Sequence, residues 1–139
     1  MQRNVPSRVR RGQRGKSLIE TALVMVIVLT VMFWVFELCW LIYTYSVIAD
    51  AANEGVRYAI VRSGGDVDGT KARVKSFAGA TMHDVTAIST TVEFPDGSAA
   101  PPNRVRVTVH YAYIPYLGHF MSTPTMRAYA EGAMVVQLQ

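Results

Sequence analysis

The sequence predicts an α+β protein: a long N-terminal transmembrane helix that continues into a small ectodomain, with a three-stranded antiparallel sheet packed on it. Residues 18–36 contain a single charged residue. As a helix they would span about 28 Å at ~1.5 Å per residue, close to the ~30 Å hydrocarbon core of a bilayer. Beyond residue 62, several short segments alternate apolar and polar residues, as strands with one buried face do.

Composition divides the chain of 139 residues into three segments. Residues 1–15 are a basic leader, 16–62 form the transmembrane and extended helix, and 63–139 form a small α+β extracytoplasmic domain. Residues 1–16 hold six lysines or arginines and no acid. Since basic residues flank a span on its cytoplasmic side, we expect a cytoplasmic N-terminus and an extracytoplasmic C-terminal domain. The same rule accounts for the basic cluster, so no nucleic-acid partner is expected.

Glu20 is an unusual residue because it lies two positions inside the apolar run. On translocon scales, Asp, Lys or Arg at a helix centre raises the free energy of membrane insertion by ~2.5–3.5 kcal/mol, and by less near the helix end. One interpretation is a glutamate that reaches the headgroup level beside Lys16, one helical turn earlier. The other is a carboxylate retained for a function within the membrane.

The residues around Glu20 favour the functional interpretation. Gly15-Lys16 followed by Glu20 resembles the processing site of type IV prepilins, with a basic leader, a glycine and a glutamate fifth in the mature chain. The resemblance implies cleavage between Gly15 and Lys16 by a prepilin peptidase, leaving 124 residues. The new ammonium would lie one turn from Glu20. In a filament, the Glu20 carboxylate can pair with a neighbouring subunit's ammonium, which sets the register.

The helix is predicted to continue beyond the membrane for roughly 45 residues in all, until Ser63-Gly64-Gly65 ends it. Phe36 marks the expected outer edge of the hydrocarbon, and aromatic residues typical of the membrane interface follow it. Glu37 lies roughly 100° around the helix from Glu20, and we expect a solvated interfacial acid there. Gly55 within the helix predicts close packing by another element.

A second resemblance rests on Glu20, Glu37 and the segment Ala52–Tyr58, which reads ANEGVRY. These features resemble TadE-like proteins, minor pilins or pseudopilins of tight-adherence (Flp-type) pilus systems. Their pattern has one glutamate near the start of the apolar run, a second near its end, and an A-x-E-G-x-R-Y segment. The resemblance implies that both glutamates serve assembly, and that four residues form a packing motif: Glu54, Gly55, Arg57 and Tyr58. Thr21, where major Flp pilins carry tyrosine, favours a minor component.

The C-terminal domain is predicted from helical spacing over residues 70–78, ending near Gly79, and from three strands. The strands are predicted over residues 85–94, 104–113 and 126–138, of which the second alternates most clearly. The third strand has small residues on one face, which predicts that the sheet packs closely against the helix at residues ~50–62. Glu54 and Arg57, three apart on the wetter flank of the helix, are positioned for an ion pair.

Catalytic and metal chemistry find little support in the sequence. The three histidines, His83, His110 and His119, lack metal-ligand spacing. His110 falls on the polar face of a strand, and the single cysteine, Cys39, is expected to act as a small hydrophobe. We therefore predict no enzyme, no cofactor and no metal site; a membrane-tethered enzyme is the weakest interpretation. Residues 114–120 form an apolar loop that suits either core packing or a contact surface.

The leading functional hypothesis is a structural minor pilin, a prepilin peptidase substrate that takes part in pilus assembly, cell adhesion and biofilm formation. Its expected partners are the lipid bilayer, the peptidase, other pilins or pseudopilins, and the pilus assembly platform. It is expected to be a single-pass protein of the bacterial inner membrane, and the pilus itself is a second location. The alternative is a permanently anchored scaffold or binding protein of the secretion platform, for which Gly15→Ala would have no effect.

Overall fold

The computed structural model describes residues 11–62, 65–82, 84–116 and 124–135. Its five elements are two helices and three strands: α1 (Arg11–Ile60), α2 (Val67–Gly79), β1 (Ile88–Glu93), β2 (Arg104–Ala112) and β3 (Thr125–Ala133). The predicted α+β fold class is confirmed. The chain divides between Phe36 and Glu37 into two compact units. Residues 1–10 of the predicted leader, Gly64, His83 and the loop residues 117–120 with His119 lie outside the described residues.

The first unit contains the membrane-spanning part of α1. Within the part of the chain that the structure describes, α1 is the one helix long and apolar enough to cross a membrane. Its large apolar side chains are exposed, from Ile19 at 74% to Trp34 at 46%. A continuous apolar surface of this length requires lipid or other apolar helices around it. By length and composition, α1 is therefore suited to anchor the protein in a membrane.

The second unit has one hydrophobic core, built where α1 meets the sheet and α2. The α1 contribution is a stripe of buried residues at helical spacing: Ile48, Ala51, Ala52, Val56 and Ala59. Three valines of β2 and three residues of β3 pack against this core. A side chain at Gly132 of β3 would meet Val56 Cγ1 at 2.6 Å. The predicted close approach of small β3 residues to the helix is confirmed.

The sheet is antiparallel with the strand order β1-β2-β3. Its inner face includes Val105, Val107 and Val109, which are fully buried as the alternation predicts. The strands are shorter than expected. β1 begins at Ile88 because a turn precedes it, in which the Asp84 carboxylate accepts from the Thr86 N–H at 2.8 Å. β3 ends at Ala133, and the predicted residues 136–138 are not described.

The α2 helix begins earlier than predicted, at Val67, because Asp66 serves as its N-cap. The Asp66 carboxylate accepts a hydrogen bond from the Gly69 N–H at 2.9 Å, which satisfies a donor that a helix start otherwise leaves free. The helix ends at Gly79, as expected. α1 ends at Ile60, two residues before the predicted position. Gly65 has a φ of +70°, a conformation that favours glycine in the connection.

Candidate assembly and packing sites

The predicted processing and pairing residues lie together on one part of α1. Gly15, Lys16 and Glu20 are all exposed, and among the described residues a Cβ added at Gly15 would meet no other group within 4 Å beyond its own helix backbone. Lys16 and Glu20 are four residues apart and share a helix face. Among the ion pairs of the described residues, neither takes part. The Glu20 carboxylate is thus available to a partner outside the chain.

Glu37 is buried, and the expectation of a solvated acid is wrong. Its side chain is only 8% exposed. The Tyr113 hydroxyl donates to Glu37 Oε1 at 2.6 Å, and the Tyr116 backbone N–H donates to Oε2 at 3.2 Å. The segment that follows β2 covers the carboxylate and supplies both donors. Glu37 therefore joins α1 to the end of the sheet.

Tyr113 is suited to be the donor in this pair. Its side chain is 2% exposed, and burial, together with the hydrogen bond to Glu37, raises the pKa of its phenol well above the usual range. The phenol therefore stays protonated, and its O–H donates a hydrogen bond to the carboxylate. A buried tyrosine hydroxyl normally finds such a partner. The pair is a specific tether between helix and sheet.

Glu54 of the ANEGVRY segment pairs with α2. Its Oε1 accepts from Arg73 Nη2 at 2.7 Å and from Arg73 Nε at 3.1 Å. The expected partner, Arg57, is instead exposed and takes part in no ion pair among the described residues. The i,i+3 spacing offers only a few tenths of a kcal/mol, whereas Arg73 donates two hydrogen bonds to the same Glu54 oxygen.

Gly55 and Tyr58 also connect α1 to its neighbours. A Cβ at Gly55 would lie 2.5 Å from Val74 Cγ2 of α2 and 3.1 Å from Val107 Cγ1 of β2, so the predicted close packing is confirmed. The Tyr58 hydroxyl donates to Asp66 Oδ2 at 3.2 Å, the residue that caps α2. The segment is therefore a packing platform for α2, with three of its four predicted residues in that role.

The sequence did not identify the partners of these residues. Tyr113 and Tyr116 satisfy Glu37, while Arg73 and Asp66 satisfy Glu54 and the Tyr58 hydroxyl. One signal was present: strand alternation puts the Tyr113 phenol on the buried face, where it needs an acceptor. Across the described ranges, the structure contains no group of three histidine, cysteine, aspartate or glutamate side chains arranged to hold a metal.

These features define a class: a protein whose described residues form one apolar helix of membrane-spanning length and a small α+β domain. The model of the TadE-like protein family matches residues 15–57. The model covers less than a third of the chain, and over this segment the resemblance seen in the sequence is confirmed. The family is one of structural components of Tad pilus systems. A search of curated proteins and a search of solved structures each found no match to the chain.

Proposed function

We propose that this protein is a minor pilin or pseudopilin of a tight-adherence pilus, cut after Gly15 by a prepilin peptidase. In this proposal it resides in the bacterial inner membrane with a cytoplasmic N-terminus, and takes part in pilus assembly, adhesion and biofilm formation. One observation carries the proposal: the TadE-like match begins at Gly15, and the carboxylate of Glu20 follows, exposed and unpaired among the described residues.

Assembly in this proposal depends on two charges one helical turn apart. Cleavage creates an α-ammonium on Lys16, and Glu20 lies on the same face. When α1 of one subunit packs beside α1 of another with an axial stagger, the ammonium of one meets the carboxylate of the other. An unpaired charge in lipid is disfavoured, and breaking a buried pair destabilises strongly. The charges would therefore reject other staggers.

Glu37 contributes to assembly in an indirect way under this proposal. Its carboxylate already accepts hydrogen bonds from Tyr113 and Tyr116, so it is occupied within its own subunit. We assign it the role of holding the segment after β2 in a fixed position. Arg57 is exposed, as is Asn53, and we assign Arg57 as a residue of the ANEGVRY segment that is accessible to a partner pilin.

The cleavage step is tested by the intact mass of the protein isolated from cells with and without the peptidase. With peptidase, we expect a chain that begins at Lys16 and lacks the fifteen leader residues. Gly15→Val should abolish this processing. Because a Cβ at Gly15 would meet no described side chain within 4 Å, the substitution should leave packing unchanged. Ala22→Val, also exposed on α1, is the matched control and should be processed normally.

The pairing step is tested separately with Glu20→Gln. This variant should be processed and inserted normally but should fail to co-purify with the other pilins, because the amide cannot neutralise an ammonium. A full-length chain in peptidase-competent cells would contradict the proposed cleavage and support a permanently anchored scaffold. A processed Glu20→Gln chain that co-assembles as well as the parent would contradict the pairing role.

A further inference from the structure

An exposed apolar surface lies on the C-terminal unit, next to the first turns of α1 beyond Phe36. We call it the aromatic patch, and it consists of residues from α1 and from the segment after β2: Leu38, Trp40, Ile42, Tyr43, Tyr45, Ile114 and Tyr116. Exposure is greatest in the second group, at 68% for Ile114 and 81% for Tyr116. Large apolar surfaces of this kind indicate an interaction site.

The two parts of the patch are held side by side. The Tyr116 N–H donates to Glu37, and the Tyr116 ring lies edge-on to Trp40, with 6.3 Å between ring centroids. Trp40 in turn lies 5.5 Å from the Tyr43 ring. Because Glu37 directly follows the apolar run, the segment that binds it lies at the level where that run ends. The patch therefore has a defined depth along α1.

The length of α1 indicates what surrounds this depth. From Leu18 to Tyr45, the helix covers about 42 Å at ~1.5 Å per residue. That length equals the ~40–45 Å thickness of a bilayer with its headgroup layers, whereas residues 18–36 match only the hydrocarbon. Residues 38–49 and 111–116 carry no charged side chain. Charge returns at Asp50, beyond the patch.

The chemistry of the patch is that of the membrane interface. Tyrosine and tryptophan gather there because the ring is apolar and one edge forms hydrogen bonds. The one carboxylate at this level, Glu37, is 8% exposed and receives hydrogen bonds from the domain itself. A carboxylate satisfied in this way is not left unpaired beside lipid. The patch offers lipid only apolar side chains, tyrosine hydroxyls and the indole N–H of Trp40.

We propose that the aromatic patch lies in the lipid headgroup layer on the side of the C-terminal domain. The Ile114–Tyr116 segment is then a second membrane contact of this protein, formed by the folded domain itself. The hydrocarbon ends near Phe36, and the headgroup layer extends to about Tyr45. This inference depends on membrane insertion of α1 alone. It does not depend on cleavage after Gly15 or on pilus assembly.

The test measures the depth of a spin label on the full chain in phosphatidylcholine vesicles that contain no other protein. Cys39, an exposed free thiol, is first replaced by serine. Labels are then placed by Ile114→Cys and, separately, by Tyr116→Cys, which keeps the backbone donor to Glu37. The matched control is Ala133→Cys, exposed at the opposite end of the sheet, where Ala133 pairs with Arg104.

The readout is the accessibility of each label to oxygen, which concentrates in lipid, and to a water-soluble nickel complex. We expect the labels at 114 and 116 to show a several-fold higher oxygen-to-nickel ratio than the label at 133. Equal ratios at all three positions would overturn the proposal. Shielding of 114 and 116 only after another TadE-like chain is added would also overturn it and would identify the patch as a protein docking surface.

Discussion

Replacing Tyr113 with phenylalanine tests the tether between α1 and the sheet with the smallest possible change. The substitution removes one hydroxyl, which donates to Glu37 Oε1 at 2.6 Å. The donor side chain is 2% exposed and the acceptor 8%, so water does not readily replace the lost bond. A hydrogen bond to a charged group contributes about 1.5–3 kcal/mol. We expect a decrease of that size in the free energy of unfolding of the C-terminal unit.

Urea denaturation in detergent micelles measures this decrease. Trp34→Phe leaves Trp40 as the single tryptophan, and Trp40 reports on the domain because its ring contacts Tyr116. With an m-value of about 1 kcal/mol/M, at the low end for small proteins, the midpoint should fall by roughly 1.5–3 M. The slope should stay the same, because the surface exposed on unfolding is unchanged.

Tyr116→Phe is the matched control for this experiment. It removes the same hydroxyl from a side chain that is 81% exposed, and it keeps the backbone N–H that donates to Glu37. Its effect should stay within about 0.5 kcal/mol, as for other surface substitutions. If Tyr113→Phe is no more destabilising than Tyr116→Phe, the Glu37 carboxylate is solvated and the tether does not exist.

Two further predictions concern packing and ionisation. Gly55→Ala should lower the thermal midpoint of the C-terminal unit, because the new Cβ would lie 2.5 Å from Val74 Cγ2. Overpacking of this kind costs about 1–3 kcal/mol, which exceeds the ~1 kcal/mol gained in helix propensity. Gly79→Ala, with its nearest contact at 3.5 Å, should be neutral, and equal effects of the two would contradict the argument. Burial raises the pKa of the Tyr111 and Tyr113 phenols, so the folded state favours their neutral forms. Their contribution to the free energy of unfolding is therefore fully present below pH ~10 and is lost as the pH rises above it. Tyrosinate absorbance should show a late-titrating group that Tyr113→Phe reduces, and an unchanged titration would refute the assignment.

Much of the fold was predictable because the signals are local. The alternation in residues 104–113 predicted both β2 and its buried valines, since side chains in a strand alternate between two faces. The small residues of β3 predicted close approach to α1, and Gly132 lies where no side chain fits. Gly55 within a helix gave the corresponding signal on α1. In each case the residue type reports directly on the space around it.

The polar contacts of the site were not predictable because they join distant positions. Glu37 meets Tyr113 across 76 positions, and nothing near Glu37 in the sequence indicates that a loop will cover it. Local reasoning therefore placed the carboxylate in solvent. It also favoured Arg57 for Glu54, although Arg73 is the partner. A weak pairing between residues close in sequence is replaced when the fold brings a better partner near, and a single sequence does not show which distant residues come close.

The hydrogen bond from the Val135 N–H to the Ile60 carbonyl, 3.1 Å long, has a consequence for biogenesis. It joins the end of α1 to the residues after β3, and β3 also covers Val56 through Gly132. Of the described elements, β3 is synthesised last. The apolar stripe of α1 therefore stays uncovered until β3 has been synthesised. Contacts so distant in sequence form late and slowly, so the newly inserted chain needs protection from its neighbours during that interval.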